Sequence, residues 1–118
     1  TQLSASMLGT GFPCRDTPIA KRYLPTFEAL YNQCASIRQT GSAALDLAYV
    51  ASGRLDGFWE FGLRPWDIAA GSLLVQEAGG LISDLQGGED YFRHGDVVAG
   101  PPKVFKALLQ TLSPLIKD

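Results

Sequence analysis

The stretch Leu55-Asp56-Gly57-Phe58-Trp59-Glu60-Phe61-Gly62-Leu63-Arg64-Pro65-Trp66-Asp67-Ile68-Ala69-Ala70-Gly71 holds the change of period that decides the fold. Leu55 to Phe61 is aromatic and alternates, with Leu55, Trp59 and Phe61 on one side and Asp56, Phe58 and Glu60 on the other, which predicts a strand. Pro65 stands where a helix favours its first residue, and Ile68, Gly71, Leu74, Val75 and Ala78 continue as an inner stripe until Gly79-Gly80 ends it. Ala69, Ala70 and Gly71 carry little side chain, so this helix can approach its neighbours closely.

The same alternation extends in both directions. Upstream, Ser4 to Leu8 predicts a short strand closed by Gly9-Thr10-Gly11-Phe12-Pro13. Ile19, Tyr23, Phe27, Leu30, Tyr31 and Cys34 then recur at helical spacing, but Pro25 costs an interior helix about 3 kcal/mol, which places the expected helix start near Leu24. Ile37 to Gln39 is a further strand. Gly41-Ser42 opens a helix to about Ser52, with Ser42 as N-cap, Gly53 as stop, and Leu47, Val50 and Ala51 facing inward. Downstream come a strand at Leu81 to Asp84, a polar connection from Gly87 to Gly95 and a strand at Asp96 to Ala99. Gly100-Pro101-Pro102 then starts a helix with Val104, Phe105, Leu108, Leu109 and Leu112 on one face. Strands alternating with helices predict an α/β layered domain spanning residues 1–118, its sheet flanked by helices.

Composition narrows the function. The 118 residues are 46% apolar, 19% charged and 10% aromatic, the profile of a globular domain and not of a disordered, collagenous or coiled-coil chain. Ten Lys and Arg against twelve Asp and Glu give a net charge of −2, so no whole-molecule basic field draws it to nucleic acid or an anionic membrane. No apolar run reaches the roughly 20 residues of a bilayer crossing, and the first eleven residues do not read as a signal peptide, which together predict a cytoplasmic protein. Cys14 and Cys34 do not sit at metal-ligand spacing and are expected as reduced thiols in or near the core.

Asp67 is the candidate that residue chemistry singles out. In the first turn of a helix it meets unpaired N–H groups and the positive end of the macrodipole, a place for a plain capping carboxylate or for an oxygen ligand to a hard divalent cation such as Mg²⁺. Gly41-Ser42 serves either as an ordinary N-cap or as a cradle of N–H groups and a hydroxyl for a phosphate or sugar hydroxyl. Glu60 can project from its strand end into a cleft, and Arg38 can reach an anion. His94, between Arg93 and Gly95 in the polar connection, is expected to be exposed and without catalytic work. Gly-x-Ser-x-Gly, Gly-x-Gly-x-x-Gly and Walker patterns are absent.

Gly41 to Asp46, Gly53 to Gly57, the Glu60 to Gly71 block and Glu77 to Gly80, in that order, resemble the C-terminal half of an inositol monophosphatase family protein, with the bacterial inositol-1-monophosphatase branch nearest. The resemblance implies a mixed sheet flanked by helices and Mg²⁺-dependent, lithium-sensitive hydrolysis of a phosphate monoester such as inositol 1-phosphate. It assigns Asp67 as a metal ligand and a substrate-binding residue, Glu60 to the substrate hydroxyls, Gly41, Ser42 and Ala43 to the inositol ring or phosphate region, and Arg38 to substrate contact. The family's other metal ligands, and its catalytic groups, lie in an N-terminal half not found among these residues, so this chain is expected to be inactive alone. Related members cleave fructose 1,6-bisphosphate, 3′-phosphoadenosine phosphates or histidinol phosphate. The implied partners are a small sugar or inositol phosphate, the remaining half of the protein and a second copy in a homodimer of the parent. A competing expectation is a protein-interaction module, because bacterial relatives act in transcription antitermination with RNA polymerase and its factors.

Overall fold

In the computed structural model, residues 2–13 and 17–116 are described, which leaves the expectation for Cys14 outside them. A single 3-10 turn at Leu3–Ala5 precedes β1 (Met7–Thr10), α1 (Thr17–Tyr31), β2 (Ser36–Arg38), α2 (Ala43–Ala51) and β3 (Gly57–Glu60). Then follow α3 (Pro65–Glu77), β4 (Leu81–Ser83), the one-turn α4 (Tyr91–His94), β5 (Val97–Gly100) and α5 (Pro102–Leu112). The strands form one sheet in the order β2-β1-β3-β5-β4. β1 lies parallel to both β2 and β3, whereas β5 runs antiparallel to β3 and β4, so the sheet is mixed, as the family resemblance implies.

Helices cover both faces. On one, Ala43, Leu47 and Val50 of α2 and Ile68 and Val75 of α3 pack with Phe58, Ile82, Val97 and Ala99. On the other, Tyr23 and Leu30 of α1 and Val104, Leu108 and Leu112 of α5 pack with Leu8, Trp59 and Val98. Adjacent strand residues Phe58 and Trp59 are both fully buried, on opposite faces, which is why both sides of β3 carry a large aromatic where a one-sided strand would not.

Several boundaries differ from the sequence reading. The first strand is Met7–Thr10 rather than Ser4 to Leu8, because Ser4 belongs to the 3-10 turn. α1 begins at Thr17 and carries Pro25 in its interior. Burial on both sides of the proline outweighs the lost hydrogen bond. Tyr23 stacks on Trp59 at 5.9 Å between ring centroids, and Thr26 receives the Trp59 indole N–H at 3.0 Å. Leu55 falls outside β3 and packs with the α2 face, opposite to Trp59 and Phe61. In α3 the buried positions are Ile68, Gly71, Ser72 and Val75, while Leu74 and Ala78 of the expected stripe face outward. Tyr31 likewise ends exposed, and the polar connection contains α4.

Close approach of α2 to α3 rests on Gly71. A Cβ built there would lie 2.5 Å from Leu47 Cδ1 and 2.6 Å from Leu47 Cβ, and the latter cannot swing away. Alanine in a helix normally stabilises by about 1 kcal/mol over glycine, but the overpacking here costs about 1–3 kcal/mol, which reverses the sign. Gly71→Ala is therefore expected to destabilise the fold, read as a lower urea midpoint with an unchanged slope.

Candidate functional site

The C-terminal ends of the inner strands β1 and β3, the turn before α2 and the first turn of α2 meet at one end of the sheet. There Thr10, Gly11, Phe12, Gln39, Gly41, Ser42, Ala43, Asp46 and Glu60 enclose a hollow of about 120 Å³. Gly41, at φ +88°, makes the turn that a side chain would strain, and Ser42 caps α2 by accepting the Leu45 N–H on its hydroxyl at 3.2 Å. Of the first helical turn, the Ala43 and Ala44 N–H groups have no partner within the helix and point toward this end.

The acidic groups find room because Gly9 of β1 and Gly11 just beyond its end carry no side chain on this face. Gly9 and Gly11, two residues apart, point the same way. A Cβ on Gly9 would sit 3.3 Å from Asp46 Oδ1, and one on Gly11 would fall directly on the Glu60 carboxyl group. Burial pushes the Glu60 carboxyl up to about 7, and the nearby charges of Asp46 and Asp67 add to the rise. Burial also pushes Asp46 up to about 6, against the opposing hydrogen bond from Thr40.

The structure thus brings Gly41, Ser42, Ala43 and Glu60 to one hollow. Asp67 stands beside it, at the mouth of α3, half-buried and near enough for its charge to act on Glu60, but it does not line the hollow. Its Oδ2 accepts the Arg64 backbone N–H at 3.1 Å, so the capping role is realised. Arg38 is not brought in: it is exposed at the end of β2 and lines a separate groove of about 560 Å³ with Phe12, Phe27 and Tyr31. His94 is exposed, beside Asp84, Asp90 and Asp96 on the far side of the sheet end. Cys34 is half-buried, with its thiol pushed up by burial.

Asp46, Thr40, Gln39, Thr10 and Gly11 were not singled out from sequence. For Asp46 a signal exists: it shares the 43, 46, 47, 50 spacing of the apolar stripe, which marks an acid turned inward. Thr10 and Gln39 are placed by pairing and turn geometry alone.

As a metal site, these residues are incomplete. Among the described residues no group of three or more His, Cys, Asp and Glu side chains is arranged to hold an ion. Asp67 fits as a single hard oxygen donor, and one carboxylate leaves Mg²⁺ mostly hydrated. Among the described residues no helix is long and apolar enough to cross a membrane.

The fold is that of a layered α/β domain with a small polar hollow at the C-terminal ends of β1 and β3. The profile of the inositol monophosphatase family matches residues 3–117, and the chain belongs to that family. It is similar to the Nus factor SuhB of Escherichia coli (strain K12), 53% identical over 116 residues, covering 98% of this chain and 43% of that relative. Among solved structures it is similar to the extragenic suppressor protein suhB of Bartonella henselae, 43% identical with a TM-score of 0.91, covering 98% of this chain and 44% of the other. An inositol monophosphatase from Anabaena (Nostoc) sp. PCC 7120 superposes with a TM-score of 0.83 at 35% identity, over 96% of this chain and 45% of its own. The chain thus spans less than half the length of these relatives.

Because Glu60 ionises with more difficulty in the folded chain than in the unfolded one, its charge opposes folding increasingly as pH rises from about 4.5 to about 7. Glu60→Gln is expected to stabilise the chain at pH 8 by about 1–3 kcal/mol and to leave it unchanged below pH 4, as measured by urea unfolding at both pH values.

Proposed function

We propose that this chain is the C-terminal part of a cytoplasmic Mg²⁺-dependent phosphatase that hydrolyses a phosphate monoester, inositol 1-phosphate in the first instance, to the alcohol and phosphate. The observation that carries the reading is the hollow itself, which gathers Glu60 and the Gly41-Ser42-Ala43 turn, with Asp67 at its side. A bound Mg²⁺ would neutralise phosphate oxygens and lower the pKa of a water, and Asp67 is the side chain here that would donate to it.

The chain's own groups do the rest by binding and orientation. N–H groups at the α2 N-terminus and the Ser42 hydroxyl offer donors to an anionic or hydroxyl oxygen. Glu60, ionised above about pH 7, accepts hydrogen bonds from vicinal hydroxyls of a polyol ring, which favours inositol over less hydroxylated alcohols. Arg38, held at the neighbouring groove, contacts substrate only if the rest of the protein redirects it.

The remaining carboxylates come, on this reading, from a segment outside these residues. α3 supports this, since it is apolar around most of its surface: Ile68, Gly71 and Val75 face inward while Ala69, Ala70, Leu73 and Leu74 face out beside Trp66, 72% exposed. A helix of that kind is built to be covered on both sides. The segment that supplies the missing carboxylates would cover this face.

A second reading rests on the relative named Nus factor. A chain 53% identical to it along nearly its whole length would share much of its surface, and a role in transcription antitermination, through contact with RNA polymerase or its factors, would need no phosphatase chemistry. Pull-down of RNA polymerase by the full-length protein, set against its phosphatase assay, separates the two.

The 118-residue chain alone is expected to release no phosphate from inositol 1-phosphate with Mg²⁺; turnover proportional to protein and lost in Asp67→Asn would overturn this. In the full-length protein Asp67→Asn is expected to lower kcat by at least about 100-fold while, with an oxygen still there to accept the Arg64 N–H, stability falls by no more than about 1 kcal/mol. Phosphate release and a urea melt on the same preparation check both.

A further inference from the structure

Asp46 has no part in the binding scheme above, although only 1% of it reaches solvent and its carboxylate borders the hollow. Its Oδ1 accepts the Thr40 hydroxyl at 2.9 Å, and Thr40 Oγ1 in turn accepts the Ser42 backbone N–H at 3.2 Å. Ser42 O lies 3.2 Å from the same hydroxyl, so two acceptors compete for one proton. The nearer acceptor is a carboxylate and makes the stronger bond, which leaves the Thr40 lone pair free for Ser42. A continuous path of carboxylate, hydroxyl and amide therefore runs from the floor of the hollow to its rim. Gly9 is glycine where that carboxylate passes over β1, since a Cβ would be pinned between Asp46 Oδ1 at 3.3 Å and Leu55 Cδ1 at 2.8 Å.

We infer that Asp46 is a positioning residue for ligand binding: acting through Thr40 Oγ1, it holds the Thr40–Ala43 turn so that the Ser42 hydroxyl and the free N–H groups of the α2 N-terminus stay aimed into the hollow. Thr40 itself is exposed at the turn and Gly41 has left-handed geometry, so without this tether the turn is free to sample other conformations before α2 begins. Preorganisation of this kind lowers the cost of binding and leaves the chemical step alone.

The inference rests on the ligand-binding reading of the hollow, and two readouts keep their failures apart. In the full-length protein, hydrogen exchange of the Ser42 amide reports the tether whether or not the protein is a phosphatase. Thr40→Val, at an exposed position that folding tolerates, and Asp46→Ala are each expected to speed it roughly tenfold, with the double variant no faster than the singles. Asp46→Asn keeps an oxygen acceptor for Thr40 and is expected to stay within about threefold of the parent. Unchanged exchange in Thr40→Val overturns the inference outright. For hydrolysis of inositol 1-phosphate, the same variants are expected to raise KM about tenfold with kcat within about twofold, and Asp46→Asn to restore KM. Faster exchange with KM unmoved overturns the positioning role, and so does a loss confined to kcat. A parent protein that turns over no phosphate monoester defeats the phosphatase reading instead, and the role of Asp46 is then decided by whether Thr40→Val weakens calorimetric binding of inorganic phosphate.

Discussion

The distance at which α2 can lie against its neighbours is set by atoms that are missing. Leu47 enters the space where Gly71 has no side chain, and the Asp46 carboxylate passes over β1 where Gly9 has none. Between them these contacts fix the height and rotation of α2. Everything at this end of the sheet inherits that placement: the N-terminal turn of α2, its cap at Ser42 and the hollow between Gly41 and Glu60. Rigid packing of this sort places donor groups more narrowly than hydrogen bonds on a loop would, because interiors at crystal-like density admit few alternative arrangements.

Gly11 extends the same device by one strand residue pair. Without it the Glu60 carboxyl could not fold back over β1, and it would project into solvent with an ordinary affinity for protons. Burial, and after it the charges of Asp46 and Asp67, make the Glu60 carboxyl harder to ionise, and burial does the same to Asp46. Stability is lost at neutral pH so that charge can be concentrated at one edge, a balance typical of sites that bind or react.

How far the sequence revealed this depends on the kind of signal each residue carries. The layered α/β class was legible from period alone, and the helices α2, α3 and α5 stood out because caps and prolines agreed with their apolar stripes. α1 was misplaced at its start because the local rule against Pro25 was stronger than any local evidence for Tyr23 on Trp59, a contact made 36 residues along the chain. Gly41, Ser42 and Glu60 were found by their positions at element ends and by family likeness, and they do meet in space. Arg38 was chosen on the same grounds but lies at a neighbouring groove, since the three residues of β2 end before the turn that would carry it inward. Thr10 and Gln39 could not be read at all, because strand pairing and the turn before α2 alone bring them there.

Within this chain the edge is polar on its floor and apolar at its outer margin, and these two features belong together. Glu60, Asp46 and Asp67 need an environment that delivers protons, cations or ligand hydroxyls, while the outward side of α3 with Trp66, Leu73 and Leu74 needs apolar cover. A surface that contributes both would satisfy the apolar helix face and enclose the carboxylates in the same step. Enclosure lowers the local dielectric, which raises the cost of each unpaired charge and equally the gain from each correctly placed counter-charge. Glu60 and Asp67, half-buried beside an uncovered helix, and Asp46 beneath them have the arrangement of one side of a site whose other side would come with the cover that α3 lacks.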